Sequence, residues 1–180
     1  MALSVEGWRL RLAAVAVGLV ALHLGGEWSQ GGIASHHFLA DPSVPAISNA
    51  WGLLWLPLLA VLYAPSIRRR AIGTGLRPRW RPGITAGLVG GLTAGFALAA
   101  FVIVGPDIDG TWILGSLLTL SLAFPVWRGE TVLGFLTGAM VAVGAMLPSI
   151  FAFAFAAISF AVHRGLVPGL THLWKRASGR

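Results

Sequence analysis

The chain has 180 residues, of which 56% are hydrophobic and 11% charged; its mean hydropathy is +0.80 and it has no cysteine. Soluble domains carry roughly a quarter charged residues, so this charge content excludes an ordinary water-facing surface and fits a polytopic membrane protein. The missing cysteines exclude disulfides, thiolate metal sites and thiol nucleophiles, and the 13 Lys and Arg against 6 Asp and Glu flank apolar runs, which marks them as topology signals and not as a nucleic-acid surface.

In chain order, the apolar runs predict six helices over about 10–27, 46–64, 83–105, 111–127, 131–147 and 149–167. Arg9 and Arg11 precede the first. They would also suit the basic region of a signal peptide, but Glu27, Trp28 and Gln30 interrupt the run well before the poor cleavage site at Ala34. Residues 28–43 form an outer interfacial segment, in which "GIASHHFLAD" reads as a short helix lying at the outer face. Pro57 falls inside the second helix and is expected to kink it. The "APSIRRRAIGTGLRPRWRPG" stretch reads as an arginine-rich cytoplasmic loop that orients the chain and touches anionic headgroups. Pro82 suits the first turn of the third helix.

The third helix carries Gly83, Gly87, Gly91 and Gly95 at intervals of four. This small-residue face lets another helix approach closely, and Gly134 and Gly138 make the fifth helix the candidate. Packing within the chain is the plain reading. Association with a membrane-protein partner or a second copy through the same face is the other. Thr131 to Val162 holds no charged residue and is too long for one ordinary span of about 20 residues, so it divides into two helices near Pro148. Glu130 is expected to pair loosely with Arg128 or with His163 and Arg164, and to favour the start of the fifth helix.

Six helices place every Lys and Arg on one side, and Glu27, Asp41, Asp107 and Asp109 on the other. Because cytoplasmic loops retain Lys and Arg, both termini are expected to be cytoplasmic. Trp28, Trp51 and Trp112 then fall at the outer boundary, and Trp8, Trp80, Trp127 and Trp174 at the inner one, with Trp55 deeper. The expectation is a single all-α membrane domain over 1–180, a compact six-helix bundle in a bacterial-type inner membrane. Its partners would be the lipid bilayer and, through the glycine face, another membrane protein or itself, and not nucleic acid.

"HLGGEWSQGGIASHHFLADPS" gathers His23, Glu27, His36, His37 and Asp41 in an otherwise oily chain. His23 and Glu27 are four apart and share a helix face. Imidazoles with carboxylates make a nitrogen–oxygen donor set, so His23, Glu27, His36 and His37 are candidate ligands for a Zn, Cu or Fe ion. A small ligand or proton site would use His23, Glu27, Asp41, Asn49 and Asp107. The plainer alternative is a His23–Glu27 pair that satisfies itself, with His36 and His37 at headgroup level. His-Glu-x-x-His, Gly-x-Ser-x-Gly and a phosphate loop are all absent. These residues support three functional readings: binding and transport of a metal ion or small ligand at a site open to the outer face; a membrane-embedded metal enzyme acting on a lipid or apolar substrate; or a non-catalytic subunit or assembly factor.

Overall fold

A computed structural model describes residues 4–37, 42–72, 81–104 and 110–178. The fold is all-α apart from one two-residue strand pair among the described residues. Helix α1 (Val5–Ser29) starts where the Ser4 hydroxyl accepts from Gly7 N–H at 3.1 Å, a cap that supplies a partner to an otherwise orphaned amide. It ends at Gln30, and Gly31 and Gly32 turn the chain at φ +119° and +132°, a region that only glycine enters freely.

A strand pair takes the place of the expected surface helix. Strand β1 (Ser35–His36) pairs antiparallel with β2 (Ile47–Ser48), Ser35 opposite Ser48 and His36 opposite Ile47. The physical reason is local. Pro45 lacks an N–H donor and disfavours helix for Val44 before it, and β-branched Ile47 suits a strand. Residues 38–41, the rest of the expected helix, lie outside the described residues.

Ser48 caps a 3-10 turn (Asn49–Trp51) that leads into α2 (Gly52–Ile72). This helix starts later than expected and runs on past residue 64, through Pro57 and Pro65, to take in Arg68, Arg69 and Arg70. Burial holds it together: Leu56, Ala60, Ala64, Ile67 and Ala71 recur at helical spacing and are each at most 4% exposed. The arginine run therefore lies on a packed helix and not in a loop.

Helices α3 (Pro82–Val104) and α5 (Gly129–Val143) form the tightest pair. Gly91 rests on the Thr131 carbonyl and Gly95 on that of Phe135, while Gly134 and Gly138 receive the Leu88 and Leu92 carbonyls; a Cβ at any of the four would overlap backbone. The plain packing reading of the glycine face thus holds for Gly87, Gly91 and Gly95, which meet α5, whereas Gly83 has open space beside it. Contacts advance together along both chains, so α3 and α5 run parallel. Between them α4 (Gly110–Ala123) must return to the starting end. It packs against α6 (Met146–Ala161) and stands off α3, leaving an apolar cleft.

The break between α5 and α6 falls at Gly144 and Ala145, just before Pro148. Gly144 sits at φ +70°, and a Cβ there would overlap the Asn49 amide, so both backbone and space demand glycine. After α6 the helix continues through a π-helical turn (Val162–Leu166) into α7 (Val167–Ala177). Pro168 accounts for that turn, since its ring cannot follow the regular ladder.

Val132, Phe135, Leu136, Ala139 and Met140 of α5 are buried among α1, α2 and α6. The outward faces are apolar instead: Leu22, Leu62, Ile103 and Val104 are each more than 60% exposed, the surface of a chain built for lipid and not water. Four segments are long and apolar enough to span a membrane, Val5–Ser29, Asn49–Ala71, Pro82–Val104 and Met146–Thr171. With 14 and 15 residues, α4 and α5 are shorter.

Candidate functional site

At the end of the bundle where α1 stops and α2 begins, the structure brings together three of the expected site residues. Glu27 lies one turn beyond His23 on α1, and Asn49 opens the turn into α2. Glu27 Oε1 accepts from Asn49 Nδ2 at 2.5 Å, and Oε2 accepts from Ala34 N–H at 3.2 Å. His23 Nε2 stands 3.3 Å from Oε1, close but off hydrogen-bond alignment, so this buried nitrogen has no hydrogen-bond partner among the described residues. The side chains of His23 and Glu27 are 13% and 16% exposed, and Asn49 is 4% exposed. Asn49 is held from behind by Gly144, and Asn49 N–H donates to the Ala34 carbonyl at 2.9 Å. One carboxylate thus ties together α1, the strand pair, α2 and the α5–α6 turn.

The two adjacent histidines part company. His36 is partly buried and its Nε2 has no hydrogen-bond partner among the described residues, whereas His37 is exposed and its Nδ1 donates to the Val44 carbonyl at 2.6 Å. Among the described residues no group of three or more His, Asp or Glu is placed to hold a metal ion. The metal set of His23, Glu27, His36 and His37 is brought together only at its His23–Glu27 pair. Asp41 and Asp107 lie outside the described residues.

At the opposite end is an ion pair that the sequence did not lead us to. Glu130, in the first turn of α5, is 2% exposed and pairs with Arg70 from the last turn of α2. This corrects the expected loose pairing with Arg128 or with His163 and Arg164. His163 instead turns its Nδ1 to the Ser159 carbonyl at 2.9 Å, and Arg164 lies 5.5 Å from the centre of the Trp127 ring. Glu130 fits because α3 presents Gly87 to it: a Cβ there would come within 2.8 Å of Glu130 Cγ. Glu130 Oε1 and Arg70 Nε have no hydrogen-bond partner among the described residues. A usable signal existed. Glu130 follows Gly129 and is the only carboxylate among the basic segments beyond the first helix, and Arg70 is three residues, one helical turn, from apolar Ile67.

Between the two ends, Trp55 donates from Nε1 to Ser149 Oγ at 2.6 Å, and Ser149 donates on to the Ala145 carbonyl at 2.7 Å. That gives Trp55 a place inside the bundle, where its polar edge has a partner. Comparison with known protein families, with curated proteins and with solved structures returned no match.

Proposed function

We propose that this is a multi-pass protein of a bacterial-type inner membrane that binds a small cation from the outer face, with Glu27 as the anionic centre and Asn49 and His23 at its sides. All six helices cross the bilayer in this reading, with both termini cytoplasmic. The parallel run of α3 and α5 supports it, because α4 must then traverse the bundle. So does the separation of charge, with Glu27 at one end and Arg70, Arg81, Arg128 and Arg164 at or beyond the other.

The observation that carries the binding reading is the set of partners around Glu27. An amide, a backbone N–H and an imidazole surround it, and among the described residues it has no Lys or Arg partner. Ionisable groups inside apolar segments are rare and usually functional, and this carboxylate is oriented by an amide and a backbone N–H with no guanidinium or ammonium beside it among the described residues. Coordination by histidines is the less favoured form, since only His23 adjoins Glu27. A cation held by charge and hydrogen bonds, such as an ammonium compound, suits the donor set better.

The test is thermal unfolding of the purified protein in nanodiscs against a panel of divalent metals, ammonium compounds and polyamines. At least one cation should raise the unfolding temperature of the native protein and leave Glu27→Gln unmoved. If no cation shifts the native protein, or if the shift survives in folded Glu27→Gln, the reading is wrong. A C-terminal alkaline phosphatase fusion checks the orientation: activity there would place the C-terminus outside and overturn the topology.

A further inference from the structure

Away from the Glu27 site, α3 lines a cavity of about 460 Å³ that it shares with α4, α5 and α6. The volume falls within the roughly 300–1,000 Å³ of small-molecule pockets. Its walls are almost wholly apolar, with Leu117, Leu120 and Phe124 on the α4 side and Phe155 on α6. The α3 wall is made of small residues, and Gly83 and Gly90 on it need explanation. Both are helical, so neither serves a positive φ, and a Cβ at either would meet nothing within 4 Å. Glycine inside a helix costs about 1 kcal/mol relative to alanine. Gly91 and Gly95 recover that cost by meeting α5, whereas nothing in the described chain fills the space beside Gly83 and Gly90.

The polar side chains on this wall are Arg128 and Thr131, at the end of the cleft where α4 gives way to α5. Among the described residues Arg128 has no carboxylate partner, because Glu130, two positions on, is held by Arg70. A cation at the mouth of an apolar cleft matches an amphiphile with an anionic head and a hydrocarbon tail. Arginine suits phosphate in particular, since its planar fork matches phosphate oxygens in pairs. The lipid-facing side of the same helix is open: Leu118 and Leu122 of α4 are exposed.

We infer that the cleft between α3 and α4 is a binding site for one anionic phospholipid of the surrounding bilayer. An acyl chain lies along Gly83, Gly87 and Gly90, and the phosphate engages Arg128. The site depends on the membrane reading but not on cation binding at Glu27.

Native mass spectrometry of the full chain tests it, with the protein released from bilayers of defined composition. In equal mixtures of phosphatidylglycerol and phosphatidylcholine, the native protein should retain one phosphatidylglycerol in preference. Arg128→Gln should reduce that preference roughly tenfold, the loss of one charge-assisted contact. Gly90→Leu fills the cleft from a position with free space, so it should fold and lose retention of both lipids. Intrinsic fluorescence and gel filtration confirm folding of each variant. Equal retention of the two lipids by native protein, an unchanged preference in Arg128→Gln, or undiminished binding in folded Gly90→Leu would each overturn the assignment. So would displacement of the phospholipid by equimolar oleate, which would identify a free fatty acid as the occupant.

Discussion

The two ends of the bundle each hold a partly or fully buried carboxylate, and they treat it in opposite ways. Glu130 is almost wholly buried and meets the guanidinium of Arg70. Glu27 is a little more open and, among the described residues, meets only an amide, a backbone N–H and an imidazole. The first charge is neutralised inside the chain, and its partner joins two helices that lie far apart in sequence. The second is oriented without being neutralised. Charge that a protein cancels internally has a structural use, whereas charge that it only positions is available to something else.

Breaking the cancelled pair should have the largest effect on stability. Arg70→Ala leaves Glu130 buried and unpaired, which should lower unfolding stability by about 3 kcal/mol, the low end of the range for buried pairs because Arg70 is partly exposed. Removing both partners, as Arg70→Met with Glu130→Leu, should recover most of the loss in the same denaturant titration. If Arg70→Ala unfolds like the native protein, the distinction between the two ends collapses.

Gly144→Ala comes next, at about 2 kcal/mol, because it strains a positive φ and displaces the Asn49 amide. It should also weaken cation binding, since Asn49 would leave Glu27; thermal unfolding with and without ligand reads both effects. Glu27→Gln should separate them. It should cost about 1 kcal/mol or less in stability while abolishing the cation-induced shift. Ser149→Ala, which removes the partner of Trp55, should cost about 1 kcal/mol and leave the cation shift intact. His37→Ala should fall within about 0.5 kcal/mol, as an exposed residue that supplies no partner to either carboxylate.

Residues whose neighbours are set by helix geometry were legible in the sequence. His23 and Glu27 meet because they are four apart. Gly91 and Gly95 meet α5 because small residues at that spacing leave room for a backbone, and Gly134 and Gly138 supply the matching grooves. What the sequence hid was long-range or non-helical. Arg70 sits in a run of arginines whose topological meaning masked the member that pairs with Glu130. The segment around His36 has helix-compatible residues, but Pro45 and a pair of turn glycines bend it into a strand pair. Helix α2 outruns the apolar stretch that ends at Ala64, because the buried stripe through Ala64, Ile67 and Ala71 carries it on through Pro65 and the arginines.

The interlock of α3 and α5 also bears on how the chain is made. Synthesis delivers α3 first, then α4, and only then the helix whose carbonyls fit its glycine grooves. At about 5–20 residues per second, α3 waits for some seconds with those grooves unfilled. During that interval any other small-residue helix nearby competes for the same face. Correct assembly therefore depends on how quickly α5 arrives, and a pause in translation between α4 and α5 should lower the yield of folded protein more than the same pause after α6.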